Sequence, residues 1–363
     1  MSYCINPKCP NRQNPDDAER CLACDTPLLL QDRYRLIEPL RELEDWRHTE
    51  IFLADDGGTP KVLKSLRHNT FLSQFEREML TLSQLQHPGI PKIDPDGYFD
   101  QPLSSGETIP CLLMEQIPGE NLQCYIEQHG PIPEALALKW LKQLTEILEQ
   151  IHHANLFHRD IKPSNVMRRP NGQLALIDFG TVRPVTNTYL AKVNSRCEIT
   201  SVVSPGYTPL EQIEGKAVPQ SDFYALGRLF VFLLTSQSPN QFKTDEHTGE
   251  LFWREDAPQI SHWLAALISD LMAVFPGYRP KNAQEILQRL EAGPRWPTQR
   301  LSLRTYRWVA ASVFALNIGL LCLQGFFIWE RYQDTSQTKA LLSLQSLSEK
   351  LISSIHKASF TNR

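Results

Sequence analysis

The order of apolar and polar positions along the 363 residues predicts strands early in the chain and helices later. Val62 and Leu63 stand in a short strand-like run, whereas the stretch from Phe71 to Gln86 carries apolar residues at helical spacing. Further helices are predicted over residues 134–154, 221–236 and 259–275. We therefore expect residues 33–292 to form one globular unit of the α+β class.

A run of 22 residues from Trp308 to Trp329 contains no charged side chain. At about 1.5 Å per residue, this run is long enough to cross a hydrocarbon core of about 30 Å. The alternative is a buried helix of a soluble domain. The run comes after the globular unit, and it is flanked by the charged residues Arg307 and Glu330. This position favours a single transmembrane helix.

The segments on either side of this run predict its orientation. The linker over residues 293–307 is basic, and only Arg331 and Lys339 follow soon after the run. This bias predicts a single-pass protein of the cell membrane, with residues 1–306 cytoplasmic and the tail over residues 330–363 outside the cytoplasm. The tail carries a rough helical stripe, which is typical either of a helix that pairs two copies of the chain or of an amphipathic segment lying near the membrane. The arginines of the linker are Arg295, Arg300, Arg304 and Arg307.

Composition narrows the class of protein further. Lys plus Arg number 37 and Asp plus Glu number 41, so the net charge of −4 argues against nucleic acid as a partner. Eight cysteines are too few for a disulfide scaffold, and the N-terminus lacks the apolar run of a signal peptide. The bulk of the chain is therefore expected to lie in a reducing cytosol.

Four of the eight cysteines crowd into residues 1–30, as the pairs Cys4/Cys9 and Cys21/Cys24. Two short pairs on separate turns can supply the four thiolates of a tetrahedral zinc site. The alternative is four ordinary thiols. Because so short a segment has no core of its own, we expect a structural Zn²⁺ in a zinc-ribbon-like segment.

The strongest chemical signal is HRDIKPSN at residues 158–165, followed by IDFG at residues 177–180. With these motifs the chain resembles the eukaryotic-like serine/threonine protein kinases over residues 33–292. It is similar above all to membrane-anchored bacterial, largely cyanobacterial, kinases that carry a four-cysteine segment ahead of the kinase domain. The resemblance implies a bilobal fold with a small β-rich N-lobe and a helical C-lobe, protein substrates, and ATP with Mg²⁺ as cofactors, Mn²⁺ being the alternative metal.

The resemblance also implies a role for each site residue. Asp160 would accept or orient the proton of the substrate hydroxyl, and Lys162 would meet the γ-phosphate. Asn165 and Asp178 would offer oxygen ligands to the magnesium ion. Lys64 would contact the α- and β-phosphates and would be held by Glu78 as an ion pair. The remaining nucleotide-binding positions implied by the resemblance are Ile51, Val62, Glu115 and Ile117.

Residues after the DFG motif resemble the peptide-binding lobe of protein kinases, which argues against a small-molecule phosphotransferase. Glu211 is expected to pair with Arg279, and Asp222 is expected to brace the catalytic loop. In this family the arginine that precedes the catalytic aspartate, here Arg159, often receives a phosphate from the activation segment. Thr200 is the expected acceptor, with Ser201 as the neighbouring alternative and an unmodified polar loop as the other reading.

The glycine-rich phosphate loop of the family is absent here. Between Gln31 and Asp56 there is no glycine, and the expected position reads RELEDWRHTE over residues 41–50. Glu42 and Glu44 are expected to repel phosphate, whereas Arg41, Arg47 or His48 could replace the missing backbone contacts with side-chain charge. This departure favours a second hypothesis, a pseudokinase or scaffold that binds a partner or a nucleotide without efficient transfer.

Overall fold

The computed structural model describes residues 1–184 and 203–295, together with the single positions Ser346 and Glu349. The chain divides into two units, Met1–Trp296 and Pro297–Arg363, and both described ranges belong to the first. Thr200 with Ser201, most of the linker and the predicted span over residues 308–329 lie outside the described residues. Within the described residues, no helix combines the length and the apolar character that crossing a bilayer requires.

The described residues form a β-rich first part and a helical second part, as the α+β prediction requires. The strands are β1 (Ser2–Tyr3), β2 (Gln13–Asn14), β3 (Leu29–Leu30), β4 (Tyr34–Pro39), β5 (Thr49–Asp56), β6 (Thr59–Leu66), β7 (Ile93–Pro102), β8 (Thr108–Glu115), β9 (Glu120–Asn121), β10 (Leu156–Phe157), β11 (Val166–Arg168), β12 (Leu174–Leu176) and β13 (Arg183–Pro184). The helices are α1 (Leu72–Gln84), α2 (Leu122–His129), α3 (Glu134–His153), α4 (Leu210–Ile213), α5 (Pro219–Thr235), α6 (His262–Leu271) and α7 (Ala283–Ala292).

The first part is a six-stranded sheet in the order β3-β4-β5-β6-β8-β7, with each neighbouring pair antiparallel. Strand β5 alternates half-buried and buried positions, so that Phe52 and Ala54 face the core. A two-residue turn at Gly57 and Gly58, both with positive φ, joins β5 to β6. Such a turn strongly favours glycine, and it fixes the register that places Lys64 opposite Ile51.

Helix α1 packs against this sheet with one face. Its buried residues include Phe75, Glu78 and Leu82, which follow steps of three and four and so share that face. Glu78 is the charged member of the buried set, and its side chain faces the interior together with those of Phe75 and Leu82. The helix therefore places a carboxylate on its buried face.

The second part is built around two long helices. Helix α3 buries Trp140 completely, and helix α5 is buried along most of its length. The helices predicted over residues 134–154, 221–236 and 259–275 are confirmed as α3, α5 and α6, with ends that differ by no more than four residues. Helix α6 begins later than predicted because the side chain of Ser261 caps it, accepting a hydrogen bond from the backbone of Leu264.

Residues 1–30 pack directly on the first part of the fold. Strand β1 lies beside β4, and Ile5 belongs to the same apolar cluster as Leu36 and Phe52. Strand β3, at the end of this segment, is the edge strand of the six-stranded sheet. The sheet thus begins at Leu29, a few residues before the expected boundary at residue 33.

Candidate active site

Lys64, Glu78 and Asp178 form one cluster, in which Lys64 and Glu78 are buried and Asp178 is half-buried. Lys64 Nζ lies 2.8 and 2.7 Å from the two carboxylate oxygens of Glu78 and 3.1 Å from Asp178 Oδ1. The nearby Lys64 ammonium holds the pKa of the Asp178 carboxyl well below its usual range. Burial alone would lower the pKa of Lys64, but the two carboxylates outweigh it and raise that pKa. The expected pairing of Lys64 with Glu78 is therefore confirmed.

The catalytic loop between β10 and β11 gathers the polar side chains around Asp160. Lys162 Nζ and Asn165 Nδ2 donate to Asp160 Oδ2 at 2.8 and 2.9 Å. The hydroxyl of Ser204 donates to Asp160 Oδ1 at 2.6 Å and lies 3.2 Å from Lys162 Nζ. The Ser204 hydroxyl thus bridges Asp160 and Lys162 and holds the two side chains in a fixed relation to each other. A carboxylate held in this way can accept the proton of an alcohol.

Asp222, at the start of helix α5, braces this loop as expected. Its carboxylate accepts the backbone N–H groups of His158 and Arg159, each at 2.8 Å, and lies 2.9 Å from His152 Nε2. Burial would raise the pKa of Asp222, but these hydrogen bonds outweigh it and lower that pKa. Arg159 has φ of 73°, a strained conformation for a side chain of its size, and the two backbone hydrogen bonds stabilise it.

Helix α1 is also fastened to the turn that follows Asp178. The side chain of Gln74 donates to the carbonyl of Gly180 at 2.7 Å. Phe179 is buried, and its ring meets the ring of His158 edge to face at 5.0 Å between centroids. Glu78 and Asp178 therefore reach Lys64 from two elements that are held together. Sequence reasoning missed Gln74, because a polar residue on a helix carries no signal of its partner.

A cavity of about 310 Å³ opens between the sheet and the catalytic loop. It is lined by Lys64, Glu78, Asp160 and Asp178, with residues of the 41–48 segment on another side. The structure therefore brings Lys64, Glu78, Asp160 and Asp178 to one cavity. Lys162 and Asn165 are not part of its lining, but both are bound to Asp160.

The other predicted nucleotide positions lie outside this lining. Ile51 pairs with Lys64 across the strands, and Val62 stands two residues before Lys64, so both share its face of the sheet. Ile117 is buried beyond the end of β8. The Glu115 carboxylate is bound by Arg169 at 2.7 Å, which occupies its side chain.

The 41–48 segment pairs most of its own charges. Arg47 Nε donates to Glu44 Oε2 at 2.5 Å, and the Arg47 guanidinium lies over the Trp46 ring at 4.5 Å. Arg67 donates to the Glu44 carbonyl at 2.9 Å and to Asp45 Oδ1 at 3.0 Å. The expected repulsion of phosphate by Glu44 is thus reduced, because a neighbouring arginine partly neutralises its charge.

Two further features belong to the helical part. Arg279 Nη1 lies 2.6 Å from Glu211 Oε1, and the Arg279 side chain is fully buried, so the expected pair is confirmed.

Arg159 has a buried Nε without a hydrogen-bond partner among the described residues. Burial, and then repulsion by Arg183, lowers the pKa of Arg159 to about 10. The two arginines form a basic position next to the catalytic loop.

The four N-terminal cysteines form one compact cluster. The sulfur atoms of Cys4, Cys9, Cys21 and Cys24 all lie within 4.8 Å of one another, and two of the pairs are 3.6 Å apart. All four are free thiols. Zn–S bonds of about 2.3 Å in a tetrahedron place sulfur atoms about 3.8 Å apart, so the donor set fits zinc. Burial raises the pKa of Cys9 to about 11, whereas at Cys24 hydrogen bonding with Thr26 outweighs burial and lowers the pKa to about 6.

Arg12 connects this cluster to the sheet, and sequence reasoning missed it. Its Nε donates to the Cys4 carbonyl at 2.8 Å, and its guanidinium binds both carboxylate oxygens of Glu50 at 2.9 and 2.8 Å. Glu50 is 3% exposed, and its carboxylate also lies 3.7 Å from Arg67 Nε. Because Arg67 binds the 41–48 segment, a continuous set of contacts runs from the cysteines to the cavity.

Comparisons with known proteins agree with this geometry. The sequence pattern of the protein kinase domain matches residues 57–290. Serine/threonine-protein kinase B of Synechocystis is 32% identical over 80% of this chain and 52% of its own length. Serine/threonine-protein kinase PknA of Nostoc is 34% identical over 73% of this chain and 48% of its own length. Serine/threonine-protein kinase C of Synechocystis is 35% identical, with 73% and 51% covered. The chain therefore spans about half the length of these curated relatives.

Proposed function

The chain belongs to the protein kinase family, and on that premise we propose that it transfers the γ-phosphate of ATP to serine and threonine hydroxyls of proteins. The observation that carries this proposal is the arrangement of Lys64, Glu78, Asp160 and Asp178 at one cavity, with Asn165 bound to Asp160. In phosphoryl transfer the protein contributes mainly positioning and charge stabilisation, and both need this set together.

Each side chain has a defined task in the proposed reaction. Asp160 accepts the proton of the substrate hydroxyl, and the Ser204 hydroxyl, which donates to Asp160 Oδ1 at 2.6 Å, holds that carboxylate in place. Lys162 neutralises charge that develops on the transferred phosphate, and Lys64 binds the phosphates that stay behind. Asn165 and Asp178 would hold Mg²⁺ or Mn²⁺, which supplies charge neutralisation between the phosphates. Asn165 turns its amide nitrogen toward Asp160, so its carbonyl oxygen remains for the metal.

A transfer assay tests the proposal. The full chain is incubated with radiolabelled ATP, magnesium and a generic protein substrate, beside the variants Asp160→Asn and Asp96→Asn. Asp96 is an exposed residue of β7 and serves as the matched control. We expect label in protein from the wild type and from Asp96→Asn, and a loss of roughly a hundredfold or more in Asp160→Asn. Equal labelling by Asp160→Asn would overturn the proposed mechanism.

The glycine-free segment at residues 41–48 favours a second candidate, a pseudokinase or scaffold that binds a partner or a nucleotide. The same assay, together with a calorimetric titration of ATP, separates the two candidates. ATP binding in the titration without any phosphate transfer by the wild type would favour the scaffold.

The proposal includes a structural zinc ion held by Cys4, Cys9, Cys21 and Cys24. What supports it is the set of four thiols within 4.8 Å of one another, which leaves no ligand position for a substrate. Zinc there would stabilise a segment that has only a small apolar cluster of its own.

The proposal also includes anchoring in the cell membrane through residues 308–329. The charge-free run and the arginines before it support a cytoplasmic kinase and a C-terminal tail outside the cytoplasm. The tail over residues 330–363 would then pair two copies of the chain or lie against the lipid surface.

A further inference from the structure

Three residues of the 41–48 segment that can carry positive charge line the cavity: Arg41, Arg47 and His48. In this segment no glycine lets backbone N–H groups approach phosphates closely. A nucleotide in the cavity would therefore need a side chain to hold the phosphates from this side. The contacts of the three residues decide which of them is available.

Arg47 is already engaged. Its Nε is bound by the Glu44 carboxylate at 2.5 Å, and its guanidinium rests on the exposed Trp46 ring. The charge of Arg47 is thus largely cancelled by a partner three residues away. Removing that pairing to bind phosphate would also release the Glu44 carboxylate next to the phosphate.

His48 is not a cation at neutral pH. Its ring stacks on the Phe71 ring at 3.5 Å between centroids, and partial burial lowers its pKa. A neutral imidazole stacked on an aromatic ring offers at most one hydrogen bond, and it gives no charge to offset phosphate.

Arg41 differs from both. Its Nη2 donates to the carbonyl and the hydroxyl of Thr49 at 2.5 and 2.8 Å, which fixes the guanidinium at the beginning of β5. Its Nε is buried and has no hydrogen-bond partner among the described residues. Within residues 1–184 and 203–295, no carboxylate lies within ion-pair distance of Arg41. Burial lowers the pKa of Arg41, although the carboxylates of Asp178, Glu78 and Glu50 act on it from beyond ion-pair distance. A half-buried cation that no carboxylate contacts directly favours an anion brought to it.

We propose that Arg41 is the side chain that binds the nucleotide phosphates in place of the missing glycine backbone. The inference rests on the proposed function, because it takes the ligand to be a nucleotide triphosphate with its metal ion. Such a ligand carries both signs of charge, so its phosphates suit Arg41 and Lys64 while its metal suits the Asp178 carboxylate, which also lines the cavity. A simple carboxylate ligand would leave Asp178 facing a like charge.

Calorimetric titration of the full chain tests this role. The ligands are ATP with magnesium, and adenosine, which lacks phosphate. The variants are Arg41→Met, which removes the charge, and Arg41→Lys, which keeps the charge but loses the planar fork. Arg33→Met is the control, because Arg33 pairs with Asp56 at the outer end of the β5–β6 hairpin.

We expect Arg41→Met to weaken ATP binding by roughly ten- to a hundredfold and to leave adenosine binding within about twofold. Arg41→Lys should fall between Arg41→Met and the wild type, and Arg33→Met should match the wild type. Unchanged ATP affinity in Arg41→Met would overturn the inference, and so would an equal loss for adenosine, which indicates a purely structural role. A wild type that binds no ATP would also overturn it, whereas one that binds ATP without transferring phosphate would overturn only the proposed function.

Discussion

Lys64 and Glu78 form a bidentate ion pair that joins strand β6 to helix α1 in the interior of the molecule. The side chains are 7% and 3% exposed, so water does little to screen the pair. The same lysine reaches Asp178, which places the turn after β12 within the same contact network. Helix α1 is therefore held in a position in which the carboxylates of Glu78 and Asp178 both contact Lys64.

We expect Lys64→Met to reduce phosphate transfer by roughly a hundredfold or more, because it removes a phosphate ligand and leaves the buried Glu78 carboxylate and the half-buried Asp178 carboxylate without their common cation. Glu78→Gln should lower the rate less, since Lys64 remains. Steady-state kinetics with radiolabelled ATP measure both effects. Lys142→Met, at an exposed lysine of α3, is the matched control. Transfer by Lys64→Met at the wild-type rate would contradict the assignment.

Protein purified without chelator should contain one zinc ion per chain, measured by elemental analysis. We expect Cys9→Ser to lose the zinc and to lower the temperature of unfolding, because the thiols of the cluster then lack the ion that joins them. Cys124→Ser provides the control, since Cys124 is a free thiol outside the cluster. Zinc-free wild type with four titratable thiols in this segment would count decisively against the site.

The free energy of unfolding should depend on pH through the carboxylate of Asp222. Its pKa is lowered in the folded protein, so its charge stabilises the fold at pH values above about 4. That stabilisation is lost as the pH falls from about 4 through the lowered pKa. We expect Asp222→Asn to reduce the free energy of unfolding by about 2 kcal/mol at pH 7, and the difference from wild type to shrink below pH 4. Urea unfolding between pH 7 and pH 3 measures this, with Asp96→Asn as control. A difference that stays constant with pH would contradict the role of the carboxylate charge.

Active protein should carry a phosphate on Thr200 or, alternatively, on Ser201. Arg159 and Arg183 lie close enough to repel each other, and a phosphate from the activation segment would relieve that repulsion. We expect Thr200→Val to lower the transfer rate several-fold, with Ser201→Ala as the comparison. If mass spectrometry of active protein finds neither Thr200 nor Ser201 phosphorylated, the prediction is contradicted.

The predicted topology can be tested with sealed vesicles that carry a tag at the C-terminus. Protease should remove the tag only from the side opposite the kinase domain, because the arginines before residue 308 favour the cytoplasm. A tag cut only from the cytoplasmic face would reverse the orientation. Full solubility without detergent would rule out the span.

The residues that the sequence identified are those whose chemistry depends on short spacing. Asp160, Lys162 and Asn165 lie within six positions, and the hydrogen bonds among them follow from that closeness. Lys64, Glu78 and Asp178 lie far apart in the chain, and they were expected to act together only because the motifs resemble those of protein kinases.

The parts that sequence reasoning missed depend on residues far apart in the chain. Arg12 and Glu50 are 38 positions apart, and neither stands in a pattern that points to the other. The expected repulsion by Glu44 changed for a related reason, because the turn at residues 44–47 brings Arg47 onto it. Charges on an irregular segment can be counted from the sequence, but their pairing depends on the path of the backbone.

A chain shortened to begin at Gln31 would keep every proposed catalytic side chain, yet the contacts around the 41–48 segment would change. Such a deletion removes Arg12 and Tyr3. It therefore exposes the ring of Phe52, whose centroid lies 5.7 Å from that of the Tyr3 ring. Glu50 would then turn to Arg67, the other cation near it, and Arg67 would be drawn from the 41–48 segment. Nucleotide affinities measured on the shortened chain would therefore describe a rearranged segment, so the first thirty residues belong in any quantitative study of nucleotide binding by this protein.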